Sequence, residues 1–159
     1  CDDAQESIRE ALAELEEIRT ILLKAIDEDS ESFNGFMAAL KMPKNTEEEK
    51  VLRKTAMSQA LKTASLVPLK VAGQSVRIFK FSRLMLERGN KNAATDAMVS
   101  ALAARTAAIG ALLNVRINLR LIHDPEFVRT TLEEVLRLET LTNEQEKEIT
   151  EIGYQLLNQ

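Results

Sequence analysis

From Asp3 to Leu40 the chain repeats apolar residues at the spacing of an α-helix, with Ile8, Leu12, Leu15, Ile18, Leu22, Ile26, Phe33, Met37 and Leu40 on one stripe. A helix this long must bury its stripe on partner helices. The following residues supply them. Lys41-Met42-Pro43-Lys44-Asn45 reads as a loop, and Thr46 with Glu49 forms a capping box. The second helix that opens there, with Glu47 and Glu48 suited to its dipole, reaches about Ser65. Pro68 marks a kink or a fresh start. A third helix runs to about Arg88 and stops at Gly89, in the left-handed conformation. Asn92 is placed to cap a fourth helix, Ala93 to about Ile122, which is apolar on most sides and expected at the centre. Asp124-Pro125 starts a fifth. Thr142 with Gln145 starts a sixth, ending near Leu157. The spacing predicts an all-α helical bundle of about six helices in one domain, with a long first helix and an apolar central helix.

Composition excludes other classes. Five Gly and three Pro leave little material for the turns of a many-stranded sheet. With 4% aromatics and no Trp, the core must rest on Leu, Ile, Val, Ala and Met. A net charge of −4 offers no broad basic face, so no nucleic-acid partner is expected. The most apolar segment, Ala97 to Val115, is interrupted by Arg105 and reads as a buried core helix, not a membrane span. No secretory signal is visible. Cys1 is the single cysteine, so no internal disulfide forms, and one His with one Cys makes no zinc site. A reducing, cytoplasmic setting fits. The chain begins with Cys inside a helical pattern, as a trimmed or partly ordered piece of a longer protein would.

Polar residues on apolar faces are the candidates for function. Asp29 falls in the stripe of Leu22, Ile26 and Phe33, where a carboxylate is expected to be desolvated. Alternatively it caps or pairs with a neighbouring helix. On the fourth helix Asp96, Ser100, Ala103, Ala107, Gly110, Asn114 and Asn118 share one small or polar face. That face suits a flat ligand, or close packing across a dimer axis. Asp96 and Asn114 lie eighteen residues apart, about 27 Å along the axis. They serve two sites, or a two-fold partner brings the far end back. Arg116 and Arg120 sit on another face, where an arginine pairs with a carboxylate or recognises an anionic group. Gly89-Asn90-Lys91-Asn92 leads into a helix amino end, either a cap or an anion site. Lys41, Lys44, Lys50 and Arg53 cluster around the Pro43 loop, as a solvated face or an anion-attracting one. His123, at a helix junction, is a dipole partner.

Five segments in order resemble the cyclodeaminase/cyclohydrolase family. They are Ile26-Asp-Glu-Asp-Ser-Glu-Ser-Phe-Asn34, Met42-Pro-Lys-Asn-Thr-Glu-Glu-Glu-Lys50, Val67-Pro-Leu69, Gly89-Asn-Lys-Asn-Ala-Ala-Thr-Asp96 and Asn114-Val-Arg-Ile-Asn-Leu119. Together they span roughly residues 20 to 130. The family includes the cyclodeaminase half of formiminotransferase-cyclodeaminase and stand-alone methenyltetrahydrofolate cyclohydrolases. The resemblance implies an all-helical homodimer that binds a tetrahydrofolate derivative; the chemistry requires no metal or other cofactor, and no membrane partner is expected from the hydropathy. It implies release of ammonia from 5-formiminotetrahydrofolate to form 5,10-methenyltetrahydrofolate, or hydrolysis of that bridge. Carried over by resemblance, Asp29 and Asp96 are the catalytic candidates. Lys44, Arg53, Asn92, Asn114, Arg116 and Asn118 are the substrate-binding candidates. Residues 1–159 then form one domain without the family's additional Pro-rich, Gly-rich amino-terminal segment.

The residues suit that chemistry. Both reactions pass through a tetrahedral carbon flanked by two nitrogens, and a desolvated carboxylate such as Asp29 or Asp96 can take or return a proton there. The Lys41–Arg53 cluster can attract the glutamate tail, and Asn114 with Asn118 can meet a pterin edge. A reading of another class is a non-catalytic helical dimerisation module.

Overall fold

The structure, a computed structural model, describes residues 2–158, with side chains from residue 5 onward. Cys1 lies outside the described residues. Among the described residues the regular elements are all helical: α1 (Asp2–Leu40), α2 (Glu47–Arg77), α3 (Phe79–Arg88), a 3₁₀ turn (Lys91–Ala93), α4 (Ala94–Leu119) and α5 (Pro125–Leu157). The all-α expectation holds, with five α-helices where six were expected.

The missing boundary lies at Thr142. This residue is buried inside α5, and its hydroxyl donates to the Leu138 carbonyl at 2.7 Å. A Thr that satisfies itself on the preceding turn is not available as a cap. Pro68 does not start a helix either, because it sits buried inside α2. Proline lacks the N–H that would bond to the carbonyl four residues back, Ala64. Asn118 of α4 fills that vacancy, donating Nδ2 to the Ala64 oxygen at 2.8 Å.

Two other caps differ from expectation. Gly89 is extended (φ −82°, ψ −173°), not left-handed. Glycine is required there because a Cβ would run into the Met85 carbonyl oxygen, to which the Gly89 N–H already donates at 3.0 Å. Asn92 does not cap α4. Its own N–H donates to Asn90 Oδ1 at 3.0 Å, which caps the 3₁₀ turn, and α4 starts after Ala93 without a side-chain cap. The Thr46–Glu49 capping box and the Asp124 cap form as the sequence predicts.

Cross-helix pairs give the topology. Glu28 meets Lys70, and Glu14 meets both Arg77 (2.8 Å) and Lys80 (2.6 Å), so α1 runs antiparallel to α2. Asn118 meets Ala64 while Asp96 and Ala97 lie beside Ile78, just past the end of α2, so α4 runs antiparallel to α2. Arg116 pairs with Glu139 at 2.6 Å and Arg105 with Glu146 at 3.7 Å, so α5 runs antiparallel to α4. The main core lies where α2, α3, α4 and α5 meet, around Phe79, Leu112, Val115, Val135 and Ile149.

The buried face of α1 meets the expected stripe only at Ile18. Ile18, Ala25, Ser32 and Ala39, spaced by seven, are the buried residues, and the small side chains of the last three let α1 lie close on α2. The bulkier stripe beside them faces out, with Ile26 63% and Phe33 61% exposed. Helix α4 is likewise only half central. Alanines 94, 97, 101, 104, 108 and 111 point into the core, while Val99, Leu102, Leu113 and Ile117 face out. Residues Lys91–Leu119 are long and apolar enough to cross a membrane by length and composition, and a third of their apolar window is buried in this fold.

Candidate functional site

Two depressions lie at opposite ends of α4. The larger, about 750 Å³, is bounded by the Pro43 loop, the first turns of α2 and the link from α4 to α5. Lys44, Lys50, Arg53, Lys54 and Lys62 line it, with Leu121 and His123 opposite. Local pairing decides which cations are available. Lys50 donates to Glu47 at 2.6 Å. Arg53 donates Nε and Nη2 to the Leu40 carbonyl at 3.2 and 3.1 Å, closing the last turn of α1 where the helix dipole favours a cation. Lys62 donates to Asp124 at 2.5 Å and lies 5.3 Å from the centre of the Phe127 ring. The Lys62 ammonium, then the Phe127 N–H, hold the Asp124 carboxyl below the usual aspartate range. Lys44 and Lys54 have no such partner among the described residues, and their charge is free for an anion.

The smaller depression, about 230 Å³, lies where the amino-terminal part of α4 approaches α3 and α1. Asp96 and Ser100 of α4, Ser82, Phe81 and Met85 of α3, and Leu15 of α1 form its walls. Asp96 is exposed at its rim, so the desolvation expected of this carboxylate is not found within one chain.

The candidates therefore fall into separate groups. Lys44 and Arg53 share the basic groove, and Asp96 stands in the other depression, with Asn92 one turn away and exposed. Asn118 is committed through Nδ2 to Ala64. Asn114 is exposed, with one long bond of 3.4 Å to the Gly110 carbonyl. Arg116 is paired with Glu139, the structural alternative left open above. Asp29 is exposed on the outward stripe with Ile26 and Phe33. Its expected desolvation fails within one chain, because α1 turns that stripe away from α2. Asp96 and Asn118 are twenty-two residues apart, about 33 Å along α4. One chain cannot bring the Asp96 depression and the basic groove to a single small ligand.

Sequence reasoning missed Lys54, Lys62 and Ser82. Lys54 sits one turn beyond Lys50, a spacing that would have placed it on the same face. Lys62 and Ser82 owe their positions to tertiary contacts and carry no local signal.

The sequence profile of the formiminotransferase-cyclodeaminase family matches residues 1–137. Methenyltetrahydrofolate cyclohydrolase from Methylorubrum extorquens is 33% identical over 133 residues, covering 84% of this chain and 64% of that protein. Formimidoyltransferase-cyclodeaminase from Gallus gallus is 35% identical over 131 residues, 82% of this chain and 24% of that one. The chain thus spans under two thirds of the first relative and about a quarter of the second. The crystal structure of formiminotetrahydrofolate cyclodeaminase from Thermotoga maritima superposes with a TM-score of 0.85 at 26% identity, covering 98% of this chain and 73% of that one. A match over most of the length and a common helical fold lead to one conclusion: the chain belongs to the formiminotransferase-cyclodeaminase family.

Proposed function

We propose that the protein is a folate one-carbon enzyme acting at the 5,10-methenyl bridge of tetrahydrofolate, forming it from 5-formiminotetrahydrofolate with release of ammonia. The observation that carries this reading is Asp96, a carboxylate at the rim of a mostly apolar depression, in a chain of this family. N10 of the folate attacks the formimino carbon and the C–N10 bond forms. The electron pair of the C=N bond moves to the exocyclic nitrogen, which takes up a proton. Asp96 accepts the proton that N10 gives up and returns it to the departing nitrogen, so the C–N bond breaks and ammonia leaves. The N5 lone pair re-forms the bridge as the methenyl cation. Cyclohydrolysis is the second reading, favoured by the name of the Methylorubrum relative. Water then adds to the bridge carbon, the same carboxylate takes the proton the water gives up and passes it to the departing ring nitrogen, and that C–N bond breaks to leave the carbon as a formyl group on the other nitrogen. A cytoplasmic location goes with either reaction, and no cofactor beyond the folate itself is assigned.

The active form is a homodimer on this reading. Ala107 lies midway between Asp96 and Asn118, and also midway between Ser100 and Asn114. The outward face of α4 is thus self-complementary about Ala107, as an antiparallel pairing across a two-fold axis requires. Exposed Val99, Leu102, Leu113 and Ile117 add apolar surface beside it. In that pairing Asp96 of one copy faces the Asn118 end of the other, next to its basic groove. The pterin then rests beside Asp96 of one chain, and the glutamate tail reaches the free Lys44 and Lys54 of its partner.

Following the methenyl absorbance with each substrate tests the assignment. Asp96→Asn is expected to lower kcat by about 10²–10⁴-fold, the scale of one general acid–base group. No turnover of either substrate by the wild type would overturn it.

A further inference from the structure

Most buried hydroxyls of these helices turn back on the preceding turn. Ser65, Ser75 and Thr142 donate to the carbonyl four residues back, at 2.9, 2.9 and 2.7 Å, and Ser32 to the one three back at 2.8 Å. Ser82 does not. The residue is 3% exposed, yet its Oγ has no hydrogen-bond partner. The carbonyl four residues back belongs to Ile78, at the junction of α2 and α3, and already accepts the Phe81 and Ser82 N–H groups at 3.0 and 3.2 Å. A buried hydroxyl left unpaired is destabilising unless something else bonds to it. Ser82 lines the 230 Å³ depression that also holds Asp96 and Ser100, between the apolar side chains of Leu15, Phe81 and Met85.

We propose that Ser82 contacts the ligand directly, holding the hydrogen-bonding edge of a flat heterocycle whose faces rest on Leu15, Phe81 and Met85. A hydroxyl both donates and accepts, so one Ser can meet either a ring carbonyl or an amino group of a 2-amino-4-oxopyrimidine edge. This deepens the folate reading and rests on it, by placing the pterin rather than the tail at this end of α4. The size of the depression suits a bicyclic ring and not a whole folate, which leaves the aminobenzoyl and glutamate portions to run along α4 toward the partner copy.

Calorimetric titration of the full chain with tetrahydrofolate and with p-aminobenzoylglutamate, which lacks the pterin, separates the outcomes. Ser82→Ala is expected to weaken tetrahydrofolate about tenfold, to leave p-aminobenzoylglutamate unchanged, and to leave Tm unchanged or slightly raised. In turnover it is expected to raise KM with little change in kcat. Equal tetrahydrofolate affinity in wild type and Ser82→Ala would overturn the Ser82 assignment alone, as would a matching loss for both ligands. Ser82→Thr, which keeps the hydroxyl, is expected to hold more affinity than Ser82→Ala, and the reverse order would also count against it. A wild type that binds no tetrahydrofolate would overturn the folate reading itself.

Discussion

The Asn118 side chain donates to the Ala64 carbonyl at 2.8 Å, the one carbonyl that Pro68 leaves open within α2. A proline inside a helix is tolerated where a neighbour satisfies the group it abandons. Asn118→Ala is therefore expected to cost about 1 kcal/mol, the scale of losing the partner of a half-buried carbonyl. Pro68→Ala restores the backbone N–H and is expected to relieve most of that loss in the double variant. Denaturant unfolding of the four proteins in a double-mutant cycle measures the coupling. Additive losses would show that the two positions are unrelated.

Acid is expected to loosen α1 before the core. Lys80 and Arg77 hold the Glu14 carboxyl below the usual glutamate range, and Lys70 does the same for Glu28. A carboxyl whose folded pKa is lowered stabilises the fold above its unfolded pKa, about 4.3. That contribution is lost as pH falls through the lower folded value. Hydrogen exchange at pH 3 is expected to show α1 amides losing protection while α4 keeps it. Glu14→Gln with Glu28→Gln should show the same loosening at pH 7. Equal protection of both helices at pH 3 would contradict this.

Much of this fold was legible because its signals are local. The Thr46–Glu49 box and the Asp124-Pro125 start are read within four residues and stand as expected. Pro68 misled because a tertiary contact decides it, Asn118 reaching over from another helix, and Thr142 because its buried hydroxyl turns back on its own helix instead of capping a new one. Periodicity located the bulky apolar stripe of α1 but gave no sign that the line of Ile18, Ala25, Ser32 and Ala39 meets α2 instead. Asp29 was expected to be buried on that account. By residue type the sequence singled out Asp96, Lys44 and Arg53, each of which lines one of the two depressions. For Arg116 it left two readings open, and the choice fell to Glu139 on a different helix.

The free lysines of the basic groove set a charge-dependent affinity. Lys44→Glu with Lys54→Glu is expected to weaken a folate with several glutamates by about tenfold or more, and a folate with a single glutamate by less. Raising salt should shrink the difference. Titrations of the two ligands at low and high salt check this, and equal losses for both would place the tail elsewhere.

The face of α4 can be blocked without disturbing the fold. A Cβ at Gly110 meets nothing within 4 Å in the single chain, and Ala107 beside it is exposed. Gly110→Leu with Ala107→Arg is expected to leave the chain helical and folded but monomeric by analytical ultracentrifugation, with turnover lost. A variant that stays dimeric and active would place the two-fold axis on another surface.

Complementation between two silent chains probes the shared site most directly. Asp96→Asn lacks the proton-transferring carboxylate, and Lys44→Glu with Lys54→Glu lacks the tail groove. Each is expected to be nearly inactive alone at low substrate. After mixing and subunit exchange, half the dimers carry one of each chain. One of their two sites then joins the intact Asp96 of one copy to the intact groove of the other, so about a quarter of wild-type activity is expected to return. If mixing restores nothing while exchange is complete, each site lies within a single chain and the two-fold assembly of the folate site is wrong.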